Sequence, residues 1–162
     1  KQQMLNTQDF IAVIKNTTLV SIDLCLIFDN QILLGKRNNE PLKGLWFTPG
    51  GRILKNETWL DCLSRVMLSE LGLNNLNAYD CRLMGIWDHF YNNSVVGDNI
   101  STHYVNLPHY ISLKTIPLLK PDSQHSKFSW FDLAEVSNNN NFHEYTRNYA
   151  LWLIEENSKS GL

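Results

Sequence analysis

Alternating apolar and polar positions mark the first two strands of the chain. In residues 20–28 every even position is apolar, whereas Ser21 and Asp23 are polar, a pattern that predicts a strand with one buried face. Residues 29–30 are Asp-Asn, a turn-forming pair, and residues 31–37 again contain several aliphatic side chains. We therefore expect a β-hairpin near the start of the fold.

Helical spacing of apolar residues predicts three helices. The first covers residues 5–15 and has Thr7 as its N-cap. The second has an apolar stripe over residues 59–71 and ends at Gly72, a residue suited to the left-handed conformation that follows a helix. The last spans about residues 142–156 and turns four large side chains inward, namely Tyr145, Tyr149, Trp152 and Leu153.

Further strands surround the middle helix. Residues 46–52 form a short strand that runs into two glycines, residues 79–91 and 101–113 have the pattern of longer strands, and residues 128–131 form a short one. A helix inserted among several strands predicts an α/β or α+β sandwich. At 162 residues, the chain is expected to form one domain, residues 1–162.

Composition narrows the class of partner. The formal net charge of −2 and the pI near 6.2 provide no basic field for non-specific nucleic-acid binding, so we expect no nucleic-acid partner, and any nucleotide partner should be small. The apolar runs are too short for a signal peptide or a membrane span, which predicts a cytoplasmic protein with no membrane partner. The widely spaced Cys25, Cys62 and Cys81 are interpreted as reduced core thiols.

The middle helix carries the most specific motif in the chain. Residues 51–73 resemble the Nudix signature, GX5EX7REUXEEXGU, in which U is a bulky aliphatic residue. The matching positions are Gly51, Glu57, Arg65, Glu70, Gly72 and Leu73. This resemblance implies a Nudix-type fold, in which a mixed β-sheet is sandwiched between helices. We expect Glu57 and Arg65 to form a structural pair between the loop and the helix.

Two signature carboxylates are replaced in this chain. Carboxylates at positions 66, 69 and 70 would share one helix face, because the positions are related by i, i+3 and i+4, and such a face binds hard divalent cations. Here Val66 and Ser69 occupy the first two positions, and only Glu70 is acidic. We therefore expect one Mg²⁺ instead of the several that assist attack on phosphorus in many relatives.

The same departure resembles one branch of the family, the GDP-mannose mannosyl hydrolases. The similar stretches extend from residue 8 to residue 130 and are residues 8–10, 19–23, 33–37, 44–52, 85–91, 102–105 and 121–125. The resemblance implies cleavage of the sugar C–O bond with inversion, giving GDP and free mannose, with GDP-glucose as a second substrate. It also implies a homodimer and one Mg²⁺ per subunit, which Mn²⁺ can replace.

The resemblance assigns roles to individual residues. The Mg²⁺ ligands are the backbone carbonyl of Gly50 and the side chains of Glu70 and Gln124, all oxygen donors. His125 is the expected general base, since an imidazole titrates near neutrality. Arg37 and Arg52 are expected to bind the diphosphate, and Tyr104 the leaving group. Asp23 and His89 are expected to contact the sugar or to position other groups in the site. The residues expected to cover the guanine are Met4, Leu5 and Phe10.

Other interpretations of these residues stay open. The chain could be a conventional Nudix pyrophosphohydrolase, although Val66 and Ser69 remove the ligands that this reaction needs. It could also be a Nudix-like domain that binds a nucleotide sugar without catalysis, against which the combination of Glu70, Gln124 and His125 argues. The polar residue at position 23 is explained by solvent exposure as well as by function. Tyr104 could equally belong to the site or to the structural framework.

Overall fold

A mixed β-sheet with helices packed on both faces carries the candidate site. The computed structural model describes residues 4–120 and 125–160, apart from the side chains of residues 125 and 126. The helices are α1 (Thr7–Asn16), α2 (Trp59–Leu71), α3 (Leu133–Asn138) and α4 (Glu144–Ser160). The strands are β1 (Leu19–Phe28), β2 (Gln31–Arg37), β3 (Trp46–Phe47), β4 (Gly50–Arg52), β5 (Arg82–Leu83), β6 (Trp87–Tyr91), β7 (Thr102–Asn106), β8 (His109–Ser112) and β9 (His125–Asp132).

Strand β1 is central to the sheet because it pairs with four other strands. It runs antiparallel to β2 and β4 and parallel to β7 and β8. In the register with β4, Asp23 lies opposite Gly50. The first strand therefore brings a carboxylate to the two glycines that precede the signature helix.

Both faces of β1 are buried, which corrects the prediction of one buried face. Ile22, Leu24 and Leu26 belong to a core cluster shared with α2. The intervening Cys25 and Ile27 belong to a second cluster shared with α3 and α4. The alternation of polar residues at the start of the strand does not continue, because helices cover the centre of the sheet from both sides.

Local sequence signals define the ends of the first two helices. Helix α2 begins after Thr58, whose side chain accepts a hydrogen bond from Asp61 N, and it ends at Gly72 with φ of 67°, as the sequence predicts. For α1 the predicted N-cap, Thr7, is wrong by one residue. The cap is Asn6, whose side-chain oxygen accepts from Asp9 N at 2.9 Å.

The two long strands predicted after α2 are interrupted. The predicted strand 79–91 begins inside a short 3-10 helix, Ala78–Asp80, and then contains the two-residue β5 and a left-handed Gly85 with φ of 112° before β6 begins. The predicted strand 101–113 divides into β7 and β8, which pair with different parts of β1 and are separated by residues 107–108. Residue 108 is a proline, which has no N–H for a sheet hydrogen bond.

The C-terminal part of the sheet is longer than the sequence predicts. The short strand expected at residues 128–131 is the middle of β9, which pairs along β2 from Gln31 to Arg37. Helix α3 was not expected, because its six residues bury only Leu133 and Val136 and provide little periodic signal. The final helix is confirmed, with bounds at residues 144 and 160.

Two further predictions from the sequence concern membrane-spanning helices and the cysteine thiols. In the part of the chain that the structure describes, no helix combines the length and apolarity needed to cross a bilayer. The three cysteines are buried and free, as predicted. Burial raises the pKa of Cys62 and of Cys81 to about 12, so both are uncharged thiols at neutral pH.

Candidate active site

A cleft of about 510 Å³ opens between α1, the two glycines of β4 and the signature helix α2. Nine of the twelve residues to which the resemblance assigns a site role line it, namely Met4, Phe10, Asp23, Arg37, Gly50, Arg52, Glu70, His89 and Tyr104. Leu5 is not among the lining residues and is 42% exposed. Gln124 lies outside the described residues. For His125 only the backbone is described, and it pairs with Arg37 at the start of β9.

The glycine loop and α2 are joined through Glu70. This carboxylate is buried, and its Oε2 accepts a hydrogen bond from Gly50 N at 3.1 Å. A Cβ atom at position 50 would overlap Asp23 Oδ1 and the carbonyl oxygen of Ile22. Only glycine permits this close approach of the loop to β1.

Glu57 and Arg65 form the predicted structural pair between loop and helix. Arg65 Nε and Nη2 donate to the two carboxylate oxygens of Glu57 at 2.7 and 2.9 Å. Arg65 Nη2 also donates to the backbone oxygen of Arg52 at 2.9 Å, and Glu57 accepts from Leu54 N. The hydrogen bonds from Arg65 hold the pKa of Glu57 below its ordinary value. The pair fixes the backbone that follows the two glycines.

The two replaced signature positions face different surroundings. Val66 is 1% exposed and belongs to the core cluster between α2 and the sheet. Ser69 lines the cleft beside Glu70. The helix therefore presents one carboxylate and one hydroxyl to the cleft from these three positions, since the valine side chain is committed to the core.

The two arginines are held on different elements around the cleft. Arg37, at the end of β2, donates from Nε to the backbone oxygen of Pro41 at 2.9 Å. The guanidinium of Arg52, at the end of β4, lies 4.7 Å from the centre of the Phe10 ring on α1, within the range of a cation–π contact. Together with Arg65, whose charge is paired with Glu57, these two arginines line the cleft with permanent positive charge that suits a diphosphate.

Asp23 is a buried carboxylate, which corrects the alternative of simple solvent exposure. It is 6% exposed, and its Oδ2 accepts a hydrogen bond from the Tyr149 hydroxyl at 2.6 Å. Burial raises the pKa of Asp23 to about 6, while the bond from Tyr149 and the charge of Arg37 oppose the rise. A carboxylate with a raised pKa in a cleft is typical of a functional site.

His89 is a buried, neutral imidazole. It is 2% exposed and stacks on the Tyr145 ring with a centroid separation of 4.0 Å. Burial, with a smaller contribution from His143, lowers the pKa of His89 to about 4. At neutral pH its ring therefore takes part in hydrogen bonds as an uncharged group.

Two tyrosines add hydroxyl groups to the cleft. Burial raises the pKa of Tyr104 above its ordinary value, although Arg52 and Arg37 oppose the rise, and burial raises the pKa of Tyr91 as well. Both phenols therefore stay protonated at neutral pH and can act as donors. Sequence reasoning missed Tyr91, together with the cleft residues Asn106 and Glu40. Tyr91 lies in the similar stretch 85–91 but had no role assigned to it, whereas Asn106 and Glu40 lie outside the similar stretches. The pairing of β7 with β6 and with β1 brings Tyr91 and Asn106 together with the rest of the site.

Comparison with known proteins identifies the family of the chain. The NUDIX domain profile matches residues 18–153. The chain belongs to the Nudix family. Among the curated relatives of this Nudix protein, the Low-salt glycan biosynthesis protein Agl8 of Haloferax volcanii is 40% identical over 121 residues, which make up 75% of each chain.

Solved structures of other Nudix proteins share the fold. The MutT protein of Methanosarcina mazei Go1 superimposes with a TM-score of 0.70 and 16% identity, covering 90% of this chain and 99% of the other. The NUDIX domain of Shewanella oneidensis NrtR, crystallised with ADP ribose, gives a TM-score of 0.66 and 17% identity, covering 94% and 99%. The expected mixed sheet between helices is thereby confirmed, and the protein is a Nudix hydrolase by family and fold.

The oxygen donors around Gly50 fit the divalent metal ions that Nudix hydrolases generally use. Glu70 supplies a carboxylate within the cleft, and the glycine loop approaches so closely that a Cβ at position 50 would have no room. Carboxylate and backbone carbonyl oxygens are the ligands that Mg²⁺ prefers. Among the side chains of residues 4–120 and 127–160, no three of His, Cys, Asp or Glu form a metal-binding cluster.

Proposed function

We propose that this protein hydrolyses a GDP-sugar, GDP-mannose first and GDP-glucose second, to GDP and the free sugar. The bond broken is the one between the anomeric carbon and the leaving diphosphate oxygen, with inversion at that carbon. One Mg²⁺ per subunit, replaceable by Mn²⁺, is the expected cofactor. When bound, it would neutralise the charge of the leaving diphosphate, which makes protonation by a second acid dispensable.

The observation that carries the proposal is the single carboxylate on the signature face of α2. Attack on phosphorus in many relatives uses several metal ions, and their ligands would stand at positions 66, 69 and 70. Here Val66 is packed in the core, Ser69 is neutral, and Glu70 is the acidic member of the set. This face suits one cation at the diphosphate better than a cluster of ions around an attacked phosphorus.

Two relatives support a nucleotide sugar as the substrate. Agl8, at 40% identity, is named for glycan biosynthesis, and nucleotide sugars are the usual donors in that chemistry. The NUDIX domain of NrtR was crystallised with ADP ribose, in which a nucleoside diphosphate is joined to a sugar. A cleft with two arginines beside a buried carboxylate and imidazole suits the same combination of diphosphate and sugar.

The proposed metal ligands and base lie on three segments. The carbonyl oxygen of Gly50, the carboxylate of Glu70 and the side-chain oxygen of Gln124 would hold the cation. His125 would take a proton from the water that attacks the anomeric carbon. The backbone pairing of His125 with Arg37 supports this role, because Arg37 lines the cleft.

The remaining side chains would bind three parts of the substrate, namely the diphosphate, the sugar and the guanine. Arg37 and Arg52 would bind the diphosphate, and the protonated Tyr104 would donate to the oxygen on which charge develops. Asp23 and His89 would contact the sugar. Met4, Leu5 and Phe10 would cover the guanine, with Phe10 already packed over Arg52 and Leu5 contributing from an exposed position.

The proposal is tested by product analysis with GDP-mannose and Mg²⁺. We expect ³¹P NMR to show GDP as the nucleotide product, with mannose released. The His125→Gln variant should lose most turnover while it keeps binding of Mg²⁺ and GDP in calorimetry. His103→Gln is the matched control, because His103 is a half-exposed strand residue whose ring contacts Thr18 and Asp88 and does not line the cleft.

Two results would contradict the proposal. Formation of GMP and mannose 1-phosphate would identify a conventional pyrophosphohydrolase, and binding of the nucleotide sugar without turnover would identify a binding domain. Loss of nucleotide binding in the His125→Gln variant to the same extent as turnover would refute the base assignment.

We also infer a homodimer in the cytoplasm from the resemblance, and light scattering of the purified protein tests the dimer.

A further inference from the structure

The C-terminal helix α4 contributes a polar group to the site from behind the cleft. Tyr149 is 0% exposed and does not line the cleft, yet its hydroxyl lies 2.6 Å from Asp23 Oδ2. The two residues are 126 positions apart in the sequence. The Tyr149 ring packs against Trp87, with a centroid separation of 5.1 Å, and against Phe47. Its hydroxyl is thereby held in one place.

The hydroxyl is shared by three cleft-lining side chains. Besides Asp23, it lies 3.1 Å from the amide oxygen of Asn106 and 3.4 Å from His89 Nε2. It has one proton, which goes to the carboxylate because Asp23 is the nearest and most strongly charged acceptor. His89 is neutral, so the tautomer that is protonated on Nε2 can donate to the phenol oxygen. Tyr149 therefore connects the two side chains that we assign to the sugar.

The two oxygens of the Asp23 carboxylate have different partners. Oδ2 is bound by Tyr149 from the side of α4. Oδ1 lies against Gly50, so closely that a Cβ at that position would overlap it. Asn106, which flanks the phenol, is fixed in turn by a 2.8 Å hydrogen bond to Ser21 Oγ. The bond from Tyr149 thus determines which carboxylate oxygen is presented on the side of the glycine loop.

Packing alone does not require this hydroxyl. A buried hydroxyl is destabilising unless it is hydrogen-bonded, and phenylalanine would fill the same space without that requirement. We propose that Tyr149 is a positioning residue: it holds the Asp23 carboxylate through Oδ2 so that Oδ1 faces the sugar of the bound nucleotide sugar. The inference rests on the proposed function, and it adds a residue outside the cleft to the catalytic arrangement.

Kinetic comparison of Tyr149→Phe with a matched control tests the inference. Because the phenol aligns Asp23 without contacting substrate, we expect kcat to fall about 10- to 100-fold, with KM for GDP-mannose within about twofold of wild type. Tyr145→Phe is the control, since its hydroxyl on the same helix bonds only to the backbone of Phe90 among the described residues. It should leave both constants within about twofold of wild type.

A double-mutant cycle separates positioning from general structural damage. In an Asp23→Ala background, Tyr149→Phe should have no further effect on kcat, because the group that it positions is already absent. Equal effects of Tyr149→Phe in the two backgrounds would overturn the inference. Wild-type kcat in the Tyr149→Phe variant would overturn it as well.

A spectroscopic measurement tests the contact independently of turnover. With tyrosine labelled by ¹³C at Cζ, the buried Tyr149 hydroxyl proton should exchange slowly and resonate far downfield. This resonance should be absent in Tyr149→Phe and should move upfield in Asp23→Ala. If the wild-type protein turns over no GDP-sugar but shows these changes, the proposed function fails and the contact stands. A resonance that does not respond to Asp23→Ala would overturn the inference whatever the activity.

Discussion

The two sides of the cleft are built in different ways. The loop and helix side consists of Gly50, Glu57, Arg65 and Glu70, which come from one stretch of 21 residues, 50–70. Here each charge has a close partner, as in the paired hydrogen bonds of Glu57 with Arg65. The strand side consists of Asp23, His89 and Asn106, from β1, β6 and β7, with Tyr149 of α4 behind them.

On the strand side, burial disfavours the charged forms of the titratable side chains, in contrast to the loop and helix side. Burial raises the pKa of Asp23 to about 6 and lowers the pKa of His89 to about 4. Both shifts oppose the charged form, whereas the shift at Glu57 favours it. We propose that the loop and helix side fixes the backbone near a bound diphosphate, whereas the strand side interacts with a neutral, polar ligand such as a sugar.

The largest effect is expected from Glu70→Gln on the loop and helix side. Its carboxylate both accepts from Gly50 N and provides the proposed metal ligand, so the variant should lose about 100-fold or more in kcat/KM. The requirement for Mg²⁺ should rise in parallel, which a titration of activity against Mg²⁺ measures. Unchanged Mg²⁺ dependence would remove Glu70 from the metal site.

Asp23→Asn is expected to lose less activity than Glu70→Gln and, near neutral pH, to be more stable than the wild-type protein. We expect kcat to fall about 10- to 100-fold. In the wild-type protein, the pKa of Asp23 lies near 6 instead of 3.8, so its contribution to stability is present below pH 4 and is lost as the pH rises through 6. Relative to wild type, the variant should therefore gain on the order of 2–3 kcal/mol between pH 4 and pH 7.

Denaturant titrations of both proteins without divalent ions measure this trend. Asp29→Asn is the control, because that carboxylate is exposed in the turn between β1 and β2. A stability difference between wild type and the Asp23→Asn variant that does not change with pH would show that Asp23 titrates as an ordinary surface carboxylate.

For Glu57→Gln the main effect should be on stability. The variant loses the charge that Arg65 contacts at 2.7 Å, which should lower the free energy of unfolding by about 1–2 kcal/mol. Because the pair supports the backbone of Arg52, a severalfold loss of activity should accompany it. Glu155→Gln, at an exposed position on α4, is the control. A loss of activity without a loss of stability would place Glu57 in the chemistry instead of in the framework.

These contrasts explain which parts of the molecule were predictable. Glu57, Arg65 and Glu70 were found from the sequence because they occupy fixed positions of the Nudix signature within one short stretch. Arg65 and Glu70 lie on α2, and Glu57 lies in the loop before it. Tyr149 was expected to face inward, but its hydroxyl partner is 126 residues away, and periodicity cannot identify a contact that depends on tertiary packing. The two strand breaks were missed for a related reason, since they depend on tertiary pairing. The break at residue 108 separates β7 and β8, which pair with different parts of β1, and the break at Gly85 separates β5 and β6, which pair with β8 and β7.

The smallest effect is expected from Ser69→Glu. This change adds a second carboxylate to the cleft face of α2, whereas Val66→Glu would bury one in the core and should unfold the protein. We expect Ser69→Glu to leave the products from GDP-mannose unchanged, because the position of the cut depends on the whole site. Appearance of GMP in ³¹P NMR would show that the absence of a carboxylate at position 69 alone directs the cleavage.

The most direct test of the central claim is hydrolysis of GDP-mannose in ¹⁸O-labelled water with Mg²⁺, followed by mass spectrometry of both products. Cleavage at the anomeric carbon predicts that the label enters mannose and that GDP contains none. Label on phosphorus, with GMP and mannose 1-phosphate as products, would contradict the account and show that a Nudix hydrolase with one carboxylate on this helix face still attacks phosphorus.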